Sequence, residues 1–157
     1  MSLKIFYDML YWNGGDTMRE ILFKAKVIGS DKWATGDLTH DNEPDKYYIE
    51  TMYPHWIMKE IVPRTVCQFT GLTDKNGNKI FEHDILKTGL SETVVVWDKA
   101  KARFTLRSRS GYPMNALTED IAKAREVVGN IFDNIGGDMK FFTWKIPGVS
   151  KIFTWKF

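Results

Sequence analysis

Short runs of apolar, β-branched and aromatic residues, each bounded by turn formers, fill the middle of this chain. Thr93-Val94-Val95-Val96-Trp97 is the clearest strand. Further strands are predicted at Ile21 to Ile28, Trp33 to Leu38, Lys46 to Met52, Thr65 to Phe69, Ile80 to Lys87, Arg103 to Arg107 and Glu126 to Phe132. Gly36, inside the second of these, suggests a bulge. Gly29-Ser30-Asp31 and Asp98-Lys99-Ala100-Lys101 are polar connections between strands. Two short helices are expected. Pro54 suits the first turn of one over Trp56 to Ile61. Thr118 can cap another over Glu119 to Arg125, with acids in the first turn and bases in the last. Many short strands at regular spacing predict a small β barrel or sandwich.

The strongest local signal lies between Cys67 and Leu86. Asn76-Gly77 sits between two apolar runs, and a type I′ turn needs φ > 0 at both central residues, which Asn and Gly tolerate best. A second hairpin is expected at the C-terminus, where Lys140-Phe141-Phe142-Thr143-Trp144-Lys145 recurs as Lys151-Ile152-Phe153-Thr154-Trp155-Lys156 around Pro147-Gly148. Phe142, Trp144 and Ile146 then face one way and Thr143 and Lys145 the other; Phe153, Trp155 and Phe157 repeat the apolar face. A lone hairpin of this kind is marginal and must pack on something: the domain's own sheet, a second copy, or single-stranded nucleic acid.

At 157 residues the chain can bury one real core. Its net charge of +2 does not by itself imply a nucleic-acid partner. The excess lies in the tail, where Lys140, Lys145, Lys151 and Lys156 oppose only Asp138. The single cysteine, Cys67, excludes an intrachain disulfide and favours a reducing, cytoplasmic setting. No apolar run approaches the roughly 20 residues of a membrane span, and no secretion signal opens the chain. Residues 1–17 read poorly as part of a fold. Gly14-Gly15-Asp16 can be encoded by a ribosome-binding sequence, so Met18 is the expected natural start, with 1–17 a mis-assigned start or a cloning remnant. The domain then runs over 18–134, with 135–157 as an added hairpin.

Candidate chemistry is sparse. Asp74, Asn76 and Asn78 match the first ligand positions of a calcium loop, but Lys79 and Ile85 stand where Gly and Glu are required. On a continuous strand, Glu82 and Asp84 face away from His83, which splits the three polar groups; the favoured reading is a solvated turn at a strand entry, where Asp84 can instead bond a nearby backbone amide. Cys67 has no catalytic motif around it and is expected to be a small buried apolar residue. Neither a phosphate-binding loop nor a serine-nucleophile motif is present. Arg103 and Arg107, with Thr105 between them and Arg109 beyond, predict a small basic strip on one strand face.

Four blocks together resemble the YopX family, encoded by bacteriophages and prophages. They are Met18-Arg19-Glu20-Ile21-Leu22-Phe23-Lys24-Ala25-Lys26; Trp33 with Gly36-Asp37-Leu38; Thr65 to Gly77 with Lys79 to Leu86; and Val96-Trp97-Asp98 with Arg103-Phe104 and Glu126 to Asn134. Cys67 and His83 depart from the family pattern, which usually has Gly at both places. The resemblance implies a mainly β, SH3-like small barrel with one or two short helices, the C-terminal hairpin being an addition. It implies no activity, because the family's biochemical role is unassigned, and fold alone does not give function.

The sequence therefore predicts a non-enzymatic, cytoplasmic binding module without cofactor or metal. The expected partner is a protein, including a second copy reached through the C-terminal hairpin. The alternative is a single-stranded nucleic-acid binder. The interaction surface to examine comprises Arg103, Arg107, Trp144, Lys145, Trp155 and Lys156.

Overall fold

A computed structural model describes residues 19–41, 45–51 and 55–133. The expected start at Met18 and the expected C-terminal hairpin lie outside the described residues. The fold is mainly β, as the sequence predicts. Strands β1 (Phe23–Lys26), β2 (Trp33–His40), β3 (Tyr47–Thr51), β4 (Ile57–Glu60), β5 (Cys67–Thr73) and β6 (Lys79–Phe81) form one antiparallel sheet in the order β4-β3-β2-β1-β5-β6. Strands β7 (Asp84–Thr88), β8 (Ser91–Asp98), β9 (Arg103–Ser108), β10 (Pro113–Ala116) and β11 (Glu126–Asn130) form the other, ordered β10-β9-β8-β7-β11. One short helix, α1 (Glu119–Lys123), precedes β11.

Among the described residues no ladder closes either sheet, so the small barrel expected from the sequence is seen as two antiparallel sheets that do not close. The nearest approach to closure is in the first sheet. Val27 bridges to Ile61, Ile28 N–H donates to the Glu60 carbonyl at 3.1 Å, and Val62 N–H donates to the Lys26 carbonyl at 2.8 Å. These contacts curl the first four strands around Ala25, Ala34, Ile49 and Ile61. Gly36 makes the curl possible. β2 pairs with β1 up to Gly36 and with β3 from Asp37 onward. A Cβ on Gly36 would lie 2.0 Å from the Glu50 carbonyl oxygen, so only glycine permits this corner.

Leu86, Val95, Phe104 and Leu106 of the second sheet pack with Leu117, with Ala122 of α1 and with Ile80 of β6 in the first sheet. Thr118 occupies the N-cap of α1, but its hydroxyl makes no capping bond; its carbonyl accepts from Ala122 N–H. A third cluster, Cys67, Phe69 and Phe81 with Trp33 and Phe132 against it, lies where the sheets meet.

Three expectations need correction. The segment beginning at Trp56 is a strand, not a helix. Ile57 to Glu60 pair with Tyr48 to Thr51, and with all four residues of β4 exposed no buried helical face exists to favour a helix. The run Ile80 to Lys87 is not one strand: the turn expected at Glu82-His83-Asp84 breaks it, with His83 at φ 65° and Asp84 accepting from Phe81 N–H as expected, but Asp84 is buried rather than solvated. The Asn76-Gly77 turn is not type I′, because only Gly77 is left-handed, at φ 85°. Instead Gly77 N–H donates to the Asp74 carbonyl and Asp74 N–H to the Asn78 carbonyl, closing a longer loop around a β-turn followed by a left-handed glycine.

Candidate functional site

Backbone pairing assembles the main convergence of polar side chains. Lys24 on β1 pairs with Cys67 on β5, and Asp84 on β7 pairs with Asn130 on β11. The turn at His83 joins the two sheets. Lys24 Nζ lies 2.6 Å from Asp84 Oδ1, which also accepts from Asn130 Nδ2 at 2.9 Å. The second carboxylate oxygen accepts from Phe81 N–H at 2.8 Å. The ammonium lies 4.9 Å from the Trp33 ring centroid and 4.8 Å from that of Phe81. On the same face the nearly buried Lys26 donates to the Asp31 carbonyl at 2.7 Å, and Trp33 Nε1 donates to Asp133 at 2.8 Å.

Cys67 and His83 are neighbours in space. His83 Nδ1 lies 3.8 Å from Cys67 Sγ, and Asn130 Nδ2 lies 3.7 Å from the same sulfur. A thiol beside an imidazole and an amide has the composition of a nucleophilic centre. Its electrostatics are wrong for one. Burial pushes the Cys67 thiol up to about 12, against the opposing pull of Lys24 and Asn130, so the reactive thiolate is suppressed at neutral pH. Burial also lowers the pKa of His83, despite Glu82 and Asp84 nearby, and favours the neutral ring. Burial raises Asp84 too, although Lys24, Asn130 and the Phe81 amide partly offset it. Cys67 is fully buried, as expected. The cluster fastens β1 and β5 to β7 and β11; its thiol is not an activated nucleophile.

The Asp74 loop is likewise structural. The buried carboxylate accepts from the N–H groups of Asn76, Asn78 and Val127 at 2.8, 2.8 and 3.0 Å, and from Asn78 Nδ2 at 3.1 Å. Burial alone would raise its pKa, but these bonds together hold it below the usual value. The carboxylate organises the turn and ties it to β11. Among the described residues no three His, Cys, Asp or Glu side chains converge as metal ligands, and no helix is long and apolar enough to cross a membrane.

The predicted interaction residues fare unevenly. Arg103 and Arg107 both lie exposed on β9. The strip between them is interrupted, because Thr105 is buried and donates to the Asn115 carbonyl at 2.9 Å beneath β10. Arg109 pairs with Glu92 at 2.8 Å. Trp144, Lys145, Trp155 and Lys156 lie outside the described residues.

The sequence reading missed a surface at β4. Trp56, Ile57 and Met58 are 64%, 42% and 43% exposed, and Ile28 beside them is half exposed. Ile61 N–H donates to the Tyr47 carbonyl. By the alternation of an antiparallel pair, Lys59 and Ile57 also bond toward β3, while Glu60 and Met58 point their backbone groups outward. Glu60 uses its carbonyl on Ile28; on the outward side of Met58 no strand pairs among the described residues. One face of this edge is acidic. Asp37 lies directly opposite Glu50, which lies opposite Met58; Tyr48 lies opposite Glu60. Glu50 accepts from Trp56 Nε1. Assigning 56–61 to a helix hid this surface; the β-branched and aromatic Tyr47-Tyr48-Ile49 run next to it was the available signal.

None of the curated proteins matches this chain. The pattern that defines the family described as YopX protein matches residues 17–135, spanning both sheets and every cluster above. The chain belongs to the YopX family.

Proposed function

We propose that this protein is a non-enzymatic binding module that recognises a protein partner by adding a strand at the β4 edge. The observation that carries the reading is an edge left open among the described residues, where Met58 is exposed on one side of β4, Ile57 on the other, and Trp56 just before them. Strand addition draws affinity from main-chain bonds and specificity from alternate side chains, and Met58 offers the former while Ile57 and Trp56 flank it. The protonated thiol of Cys67 supports the non-enzymatic part of the reading. The curl drawn by the Val27–Ile61 bridge supports an SH3-like reading of the first sheet. Following the family resemblance, the setting is the cytoplasm of a bacterial host, with the gene carried by a phage or prophage.

The test is capture from infected or lysogenic cells, using the full chain and an Ile57→Asp/Met58→Asp variant as paired baits. A protein retained by the first and lost by the second supports the edge. A partner held equally by both removes it. Single-stranded nucleic-acid binding through Arg103, Arg107, Lys145 and Lys156 with Trp144 and Trp155 is the weaker reading, since Thr105 interrupts the arginine strip. Tryptophan fluorescence titrated with single-stranded DNA at two salt concentrations tests it, because phosphate contacts make such binding salt-dependent.

A further inference from the structure

We propose that Lys24 and Asn130 join in an intramolecular amide, with Asp84 as the acid–base group between them, so that β1 and β11 become covalently linked. This goes beyond the binding-module reading and does not rest on it.

The first observation is convergence on one oxygen. Lys24 Nζ and Asn130 Nδ2 stand 2.6 and 2.9 Å from the same atom, Asp84 Oδ1. An amine and a primary amide bonded to one carboxylate oxygen lie within two hydrogen-bond lengths of each other. Reactants held at this range meet in an effectively unimolecular step. The two come from strands of different sheets, β1 and β11.

The second observation is the state of the amide. Asn130 Oδ1 accepts from Phe132 N–H at 3.0 Å, and Nδ2 also donates to the Glu82 carbonyl at 3.3 Å. The Phe132 bond polarises the amide carbonyl and stabilises the charge that gathers on Oδ1 when an amine adds to Cγ. The bonds of Nδ2 fix which end of the amide faces the acid.

The third observation is enclosure. Asp84 is fully buried, Asn130 is nearly so, and little of the Lys24 side chain is exposed. The Trp33 and Phe81 rings flank the ammonium. In such surroundings an ion pair is costly, so moving one proton from Lys24 to Asp84 is favoured over what water would allow. Burial raises the pKa of Asp84 in the same sense. The amine freed by that transfer is a nucleophile.

The step balances without an oxidant, a reductant or an outside reactant. A proton passes from Lys24 Nζ to Asp84 Oδ1. The Nζ lone pair forms a bond to Asn130 Cγ, and the carbonyl pair moves to Oδ1 beside Phe132 N–H. Asp84 gives its proton to Nδ2 and takes a second from Nζ. The carbonyl re-forms, the Cγ–Nδ2 bond breaks, and ammonia leaves, taking the proton left on Asp84 as ammonium. The new amide closes the chain between Lys24 and Asn130 into a loop, which restricts the unfolded ensemble. Until it forms, the ion pair is intact. The unlinked chain, recognised by its full mass, is the species in which Lys24→Met breaks a buried pair.

The test is intact-mass measurement and peptide mapping of the full chain, freshly purified and after days in buffer. The expected result is a mass about 17 Da below the sequence value, the mass of ammonia, with a branched peptide joining Lys24 to Asn130. Lys24→Arg keeps a cation beside Asp84 but offers no amine nucleophile, so it should stay at full mass. A wild-type chain that stays at full mass overturns the proposal. So does a loss of about 18 Da, the mass of water, with Lys24 joined to Asp84 instead. A loss of ammonia that persists in Lys24→Arg and maps to Asn76-Gly77, where asparagine can cyclise on the glycine nitrogen, also overturns it. If Lys24→Arg fails to fold, the wild-type peptide map decides alone.

Discussion

Replacing Lys24 by Met leaves the Asp84 carboxylate buried without its counter-charge. Asp84 is fully buried, and Lys24 Nζ stands 2.6 Å from it. After the substitution Phe81 N–H and Asn130 Nδ2 remain as its partners among the described residues. Breaking one side of a buried pair costs about 3–5 kcal/mol, a large share of the roughly 5–15 kcal/mol that holds a domain together. With a urea m-value of about 2 kcal/mol/M, the midpoint should fall by about 2 M. The loss should also depend on pH. The native pKa of Asp84 is already raised by burial, and removing Lys24 raises it further. A raised native carboxylate pKa means that the folded state binds the proton more tightly than the unfolded chain, so the penalty is present above the raised value. It is relieved as pH falls through that value toward the unfolded one near 3.9. Urea unfolding of both proteins at about pH 7 and about pH 5 should therefore show a smaller difference at the lower pH. A Lys24→Met/Asp84→Asn double variant should regain part of the loss, since removing both charges is less harmful than removing one. A loss under about 1 kcal/mol, typical of a surface pair, or a loss equal at both pH values, would refute the reasoning.

Three further outcomes are expected. Gly36→Ala forces a Cβ to within 2.0 Å of the Glu50 carbonyl oxygen and should cost more than about 2 kcal/mol in urea unfolding; a cost near zero would show that the β2 corner is not rigid. Because burial lowers the native pKa of His83, the unfolded chain takes up the proton first, and the protein should lose stability as pH falls below about 6.5. His83→Asn, a residue that tolerates the left-handed backbone, should flatten that limb, and an unchanged pH profile would remove His83 as its source. Cys67 should resist alkylation by iodoacetamide at about pH 8 in the native protein and react on unfolding; rapid native labelling would contradict the buried, protonated thiol.

The strands were legible where apolar, β-branched residues and turn formers are dense, as at Thr93 to Trp97 and around Asn76-Gly77. They were hidden where tertiary context overrides local pattern. Pro54 and the spacing of Trp56 to Ile61 fit a helix, but pairing with Tyr48 to Thr51 settles the segment as β4. The Glu82-His83 turn was legible in its run of three polar residues, but the apolar residues on both sides made Ile80 to Lys87 look continuous, and nothing local marked Asp84 as buried. Gly36 was correctly singled out, although as a bulge rather than as the corner at which β2 changes partners. The polar cluster was not legible. Lys24, Cys67, Asp84 and Asn130 are scattered along the sequence, and only the pairing of β1 with β5 and β7 with β11 brings them together.

The central claim is that this protein works by binding through the β4 edge rather than by catalysis. Paired capture with the full chain and the Ile57→Asp/Met58→Asp variant tests it most directly, once circular dichroism has shown that both are equally folded. The account predicts a host or phage protein bound by the wild type and absent from the variant. A partner retained equally by both would contradict it.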